Sequence, residues 1–212
     1  MEISWLGHSC FRLKGKEATV LTDPCPPSTG YRIGKVVADL VTISHDRPEN
    51  SYRQALNGST KFVTGPGEFE IAGVLVTGVT TYRDKKRGAD LGRNVVYVID
   101  IDDIRVCHLG GIGHVPTGDD VELLSAADVL LVPVGGGTAF DAAAAAETVS
   151  PLEPKIVVPM QYRTEVSTEQ LDPVDRFLKE MGVEAKAPEG RLNLTRGGLP
   201  HDTTVLLLEY RR

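Results

Sequence analysis

The chain has 212 residues, 41% hydrophobic and 25% charged, with 23 basic against 29 acidic side chains and a net charge of −6. That length carries one sizeable core in a single domain over residues 1–212, and the composition is that of a soluble globular protein. The acidic balance, without any basic run interleaved with aromatics, argues against a nucleic-acid partner, and no apolar stretch is long enough to span a bilayer.

The Met1 end enters a strand pattern at once and shows no secretion signal. Three cysteines at unpaired spacing, Cys10, Cys25 and Cys107, suit a reducing and therefore cytoplasmic setting. The first half of the chain reads as a meander of short strands. They are predicted at Ile3–Leu6, Cys10–Leu13, Thr19–Thr22, Asp39–Ser44, Lys61–Thr64, Glu68–Ile71 and Val74–Thr81, with a short helix around Ser51–Asn57. Arg83–Arg93 reads as an exposed loop, and Asn94–Asp100 with Ile104–His108 as a hairpin turning at Asp102-Asp103.

The second half alternates strands and helices. Thr117 is predicted to cap a helix through Leu124, with Asp119 and Asp120 in its first turn. Strands follow at Asp128–Val134 and Lys155–Pro159, around an alanine-rich helix over Asp141–Ser150. Asp172-Pro173 should start a helix that Gly182 ends, with Val174, Phe177, Leu178 and Met181 on one apolar face. Leu192–Thr195 and Thr203–Tyr210 close the chain as strands.

Chemistry in such proteins sits on strand-end loops, and three stand out: Ser44–Asn50, Cys107–His114 and Pro159–Thr164. Taken with Gly7-His8-Ser9, Thr22-Asp23-Pro24, Gly65-Pro66-Gly67-Glu68 and Pro133-Val134-Gly135-Gly136, their order and spacing resemble the metallo-β-lactamase superfamily. The nearest likeness is to its small UlaG-like, uncharacterised zinc-dependent hydrolase branch, and it runs from Trp5 to Thr164. The resemblance implies an α/β fold, a four-layer αββα sandwich, with a dinuclear metal site between the sheets at one edge.

The ligands that the resemblance implies do not carry over. Where the family has H-x-H-x-D-H, this chain has His45, Arg47, Glu49 and Asn50 at the four ligand positions. His108 keeps the family's histidine, but Gly111 stands at the metal-bridging aspartate and Gln161 at the final histidine. Glycine cannot bridge two ions, neutral amides are poor zinc donors, and a guanidinium has no lone pair to give. Arg47 is therefore expected to replace the metal's charge, paired with Glu49 or Asp46.

At most one zinc or other divalent ion is expected, through His45, Glu49 and His108, and otherwise no cofactor. Further candidates for the cleft are His8, Asp46, Asn50, Asp84 with Arg83, His114 and Gln161. Gly135-Gly136-Gly137 lies between a strand and a helix but matches neither phosphate-binding pattern. Ser9, His8 and Asp23 supply the residue types of a nucleophilic triad without its geometry. The favoured reading is a protein that has lost the dinuclear site and binds a small anionic ligand near Arg47 and Arg163. A mononuclear hydrolase of a phosphoester, ester or lactone and an assembly subunit are the alternatives. Homo-oligomerisation is left open.

Overall fold

The structure, a computed structural model, describes residues 1–211. In chain order the strands are β1 (Glu2–Gly7), β2 (Cys10–Lys14), β3 (Thr19–Thr22), β4 (Val36–Val37), β5 (Leu40–Thr42), β6 (Leu56–Asn57), β7 (Lys61–Val63) and β8 (Gly67–Ile71). They continue as β9 (Val74–Tyr82), β10 (Arg93–Ile101) and β11 (Ile104–His108), then helix α1 (Asp119–Leu124), β12 (Val129–Pro133) and α2 (Ala142–Leu152). After these come β13 (Ile156–Met160), α3 (Val174–Glu180), β14 (Leu192–Asn193) and β15 (Thr204–Val205).

Two mixed sheets face one another: six strands in the order β14-β1-β2-β3-β5-β7, and seven in the order β15-β13-β12-β11-β10-β9-β8. β10 reads R-N-V-V-Y-V-I-D-I and is buried along nearly its whole length, as a central strand covered on both faces must be. Asp102 and Asp103 both take positive φ, which gives its hairpin the twist matching the flanking strands. The connections β11–α1–β12 and β12–α2–β13 join parallel strands, so α1 and α2 cover one face of the larger sheet. Asp141 caps α2 by accepting from the Ala144 N–H at 2.9 Å, as its position predicts. No helix among the described residues is long and apolar enough to cross a membrane.

The α/β sandwich expected from the sequence stands, with its outermost layers unequal. Buried side chains of α1, α2 and α3 all join the large core between and behind the sheets. The outer face of the six-stranded sheet instead forms a smaller cluster, where Leu6, Cys10, Leu21 and Val41 are covered by Cys25, Tyr31, Val36 and Ala38. That cover is a 3₁₀ turn at Pro27–Thr29 and extended chain, with no α-helix.

Several predicted elements are shorter. Ser51–Asn57 is a 3₁₀ turn at Arg53–Ala55 running into β6, which pairs with β4 instead of forming a helix. Thr203–Tyr210 holds only β15 and two isolated bridges, Trp5 to Tyr210 and Glu189 to Leu208. The chain here leaves the sheet edge to cross over Trp5, so ladder pairing ends while burial continues. α1 and α3 begin one residue later than predicted, with Gly118 and Pro173 at their N-caps. Asp172 then pairs with Arg176 one turn on.

Parallel β3, β5 and β7 in one sheet and β11, β12 and β13 in the other send their following loops to a common edge. Two groups on β10 pin the sheets together there. The Val95 N–H donates to Ser44 O at 2.7 Å, and the Tyr97 hydroxyl to Ile43 O and Val63 O at 3.1 and 3.2 Å.

Beside them the fully buried Asp23 accepts three hydrogen bonds: from Ser44 N–H at 2.7 Å, from Ser44 Oγ at 2.5 Å and from Asn50 Nδ2 at 3.0 Å. Asn50 also donates to Ser9 Oγ at 2.7 Å, so one carboxylate ties together the loops after β1, β3 and β5. Asp23→Asn keeps size and tolerates the left-handed backbone (φ 36°) but turns an amide N–H₂ toward donors. Leaving buried groups unmatched in this way is expected to cost about 3 kcal/mol. A lower urea midpoint at unchanged slope would register it, whereas the exposed Lys86→Ala should stay within about 0.5 kcal/mol of the parent.

Candidate functional site

The strand-end loops enclose a small polar cleft between the sheets, walled by His8, His45, Glu49, Asn50, Arg83, Gly111 and Gln161, and closed by Gly136, Thr138, Glu169 and Leu171. His8 and Gln161 both stand in the left-handed region at φ 51°. Non-glycine residues hold that conformation only where the surroundings fix it. Here the His8 carbonyl accepts from Gln161 N–H at 3.3 Å and from the Trp5 indole N–H at 2.9 Å, which clasps the two turns.

His45 is held from behind. The Ser44 hydroxyl spends its single proton on Asp23, so at 2.9 Å it must accept from His45 Nδ1–H. This fixes the tautomer and leaves the lone pair on Nε2. Burial pulls the His45 pKa down to about 4; Asp23 opposes the shift, and the Arg83 charge adds to it. His8 is likewise lowered to about 4, chiefly by burial and against the pull of Asp23 and Glu49. Its Nδ1 lies 3.8 Å from Glu169 Oε1. Both rings are neutral at pH 7.

The charge in the cleft comes from Arg83, only 5% exposed at the end of β9. Its Nη2 donates to Thr138 Oγ1 at 3.0 Å and Nη1 to Leu91 O at 3.4 Å, while Nε is buried without a partner. Burial, then repulsion from Arg47, lowers its pKa, with Glu49 and Glu169 opposing. Glu169 is raised, first by burial and then by Glu49. Asn94, buried on β10, accepts from Gly111 N–H at 2.9 Å and donates to Thr81 Oγ1 and Leu109 O, so the loop after β11 is fixed as well.

Of the residues singled out from sequence, His8, His45, Glu49, Asn50, Arg83 and Gln161 come together. Others do not. Among the described residues the exposed Arg47 and Asp46 make no ion pair with each other or with Glu49, so the buried cation is Arg83 and not Arg47. Asp84 turns away from the cleft and accepts from the N–H groups of Lys86, Gly88, Asp90 and Leu91. Desolvation alone would raise its pKa, but the four bonds together hold it low and shape the 84–91 loop.

His114 Nε2 accepts from Tyr82 N–H at 3.3 Å and braces that same loop. His108 lies outside the cleft wall: it is fully buried, its Nε2 donates to Ser9 O at 3.0 Å, and its Nδ1 has no hydrogen-bond partner among the described residues. Thr138 and Gly136 come from the glycine run that matches no phosphate motif, and Glu169 from a loop without any periodic or motif signal.

The donor set does not fit a dinuclear zinc centre. Among the described residues no three His, Cys, Asp or Glu side chains converge as metal ligands would. At Gly111, where the resemblance implies a bridging aspartate, a Cβ would stand 2.8 Å from His45 Cε1 and 3.4 Å from Arg83 Nε. A side chain there presses on the His45 imidazole and meets the Arg83 guanidinium at ordinary contact distance. What remains open is about 20 Å³, the scale of one water molecule.

A family profile described as a beta-lactamase superfamily domain matches residues 2–161. A UPF0173 protein of Pyrococcus furiosus is 29% identical over 208 residues, covering 85% of this chain and 90% of its own. A UPF0173 metal-dependent hydrolase of Thermoplasma volcanium is 30% identical over 196 residues, covering 77% and 84%. A Thermotoga maritima crystal structure, described as a candidate Zn-dependent hydrolase of the metallo-β-lactamase superfamily, superposes with a TM-score of 0.79. It is 34% identical and covers 98% of this chain and 97% of its own. With fold, loop order and profile in agreement, the chain belongs to the metallo-β-lactamase superfamily.

Proposed function

We propose that this chain is a non-catalytic member of its family, in which a guanidinium stands where a hydrolase would hold its metal pair, and that its role is to bind rather than to turn over. The observation that carries this reading is the packing at Gly111, where a bridging side chain would press on the His45 imidazole and meet the Arg83 guanidinium. Arg83 supplies positive charge beside Glu49 and Glu169 that a divalent pair would otherwise provide. Two neutral histidines and an opening of water size leave neither a strong general base nor room for a scissile group.

Relatives named metal-dependent hydrolases speak for a divalent ion in the family, so metal content is the deciding measurement. Protein purified without chelator should contain zinc, manganese and iron well below one equivalent per chain. Two tightly held ions, or turnover abolished by a chelator and rescued by zinc, would overturn the proposal. Gly111→Asp should not raise the metal content, and overpacking against His45 should lower stability by about 2 kcal/mol.

The two depressed histidines set a pH dependence. Below about pH 6.5 the unfolded chain protonates both rings, while the folded chain resists until about pH 4. Their stabilisation is complete above pH 6.5 and is lost as the pH falls toward 4, by up to about 3 kcal/mol for each ring. His45→Gln should flatten the fall in urea-derived stability between pH 6.5 and 4.5. An unaltered slope would show that the ring is not buried neutral.

A further inference from the structure

The thin outer layer over the six-stranded sheet leaves a groove of about 460 Å³ between β2, β3 and the 32–37 segment. Its walls carry Arg12, Lys14, Arg32, Lys35 and Arg211, and among the described residues no carboxylate lines it. In a chain of net charge −6 that concentration of one sign is not the average surface. Two of the five cations are already engaged: Arg12 Nη2 with Glu2 Oε1 at 3.1 Å, and Lys35 Nζ with Gln54 O at 2.8 Å. Lys14, Arg32 and Arg211 have no ion pair among the described residues.

Arg12 Nε is buried there without a partner, an orphan donor beside the groove. Gly34 turns the adjoining loop through φ 69°, and an added Cβ there would meet nothing within 4 Å. The N–H groups of Ile33 and Gly34 have no backbone partner among the described residues and stand beside the same space. Val37, 71% exposed, with Ile33 adds an apolar shelf along one side.

We propose that this groove binds a diphosphate group, either free or as part of a nucleotide. Lys14, Arg32 and Arg211, converging without a counter-carboxylate among the described residues, suit adjacent phosphates, which arginine meets with paired charge-assisted hydrogen bonds. The volume lies in the range of small-molecule sites. The site is on the face away from the cleft and stands whether or not the cleft binds metal.

Titration calorimetry of the full chain with pyrophosphate and with adenosine diphosphate tests it. Binding is expected to weaken with added salt and to fall at least about tenfold in Lys14→Ala/Arg32→Ala, a loss of about 1.4 kcal/mol. Both substituted side chains are exposed, and circular dichroism would check that the double variant folds. Arg47→Ala and Arg163→Ala, which remove exposed cations elsewhere, should bind as the parent does. Tighter binding of the nucleotide than of pyrophosphate would place the nucleoside on the Val37 shelf, and equal binding would assign the site to the phosphates alone. No binding of either, binding unchanged in the groove variant, or loss in Arg47→Ala or Arg163→Ala would overturn the proposal.

Discussion

One buried carboxylate organises the functional edge of this molecule. Asp23 is fully enclosed, and its two oxygens receive three donors from Ser44 and Asn50, on a loop distant from it in sequence. A buried charge is tolerable only when it is matched in this way, so the loops after β3 and β5 cannot move independently. The consequence reaches His45 through the Ser44 hydroxyl, which Asp23 converts into an obligate acceptor from the imidazole. Ring orientation, tautomer and the direction of the Nε2 lone pair all follow from a residue that does not line the cleft.

That scaffold is what a metal site needs behind its ligands, since ligating histidines are oriented by hydrogen bonds from their other nitrogen. Here that support is present, and Gly111 and the Arg83 guanidinium stand in front of it. Three carboxylates, Asp23, Glu49 and Glu169, act on the cleft with a positive charge among them. Arg83 supplies that charge from the end of β9 without offering an electron pair. The cost is visible at the guanidinium itself, whose Nε has no partner and whose ionisation burial disfavours. A group held at such expense, packed against His45 at Gly111, belongs to the architecture of the cleft and is not a passing surface charge.

Much of this was legible in the sequence because strand-end loops inherit their position from the sheet. The β-branched runs gave the strands, and Asp141 and Asp102-Asp103 behaved as their chemistry requires. His45, Asn50 and Gln161 could be placed at the cleft because each directly follows a buried strand or its first turn. The cation was assigned to the wrong arginine for a physical reason. Arg47 is next to His45 in sequence, but its short loop turns outward, whereas Arg83 arrives from the other sheet, a contact that no local pattern encodes. Glu169 has the same origin, an irregular loop folded across the cleft. His108 looked like a ligand by residue type, yet one backbone carbonyl had already claimed its Nε2 proton.

The unequal outer layers carry the last step. Helices α1, α2 and α3 cover the core on one side. On the other side extended chain covers Leu6, Cys10 and Leu21 with few side chains, and between that cover and the strands the sheet's own polar residues stay accessible. A helix laid over β2 would bury Lys14 or force it into an ion pair. Extended chain leaves it facing outward beside Arg32 and Arg211, in a groove whose floor is a sheet. A binding surface built in this way owes its charge to β2 and to the 32–37 segment, and neither contributes a side chain to the cleft. Substitutions in one region therefore need not disturb the other, because the groove and the cleft share no lining residue.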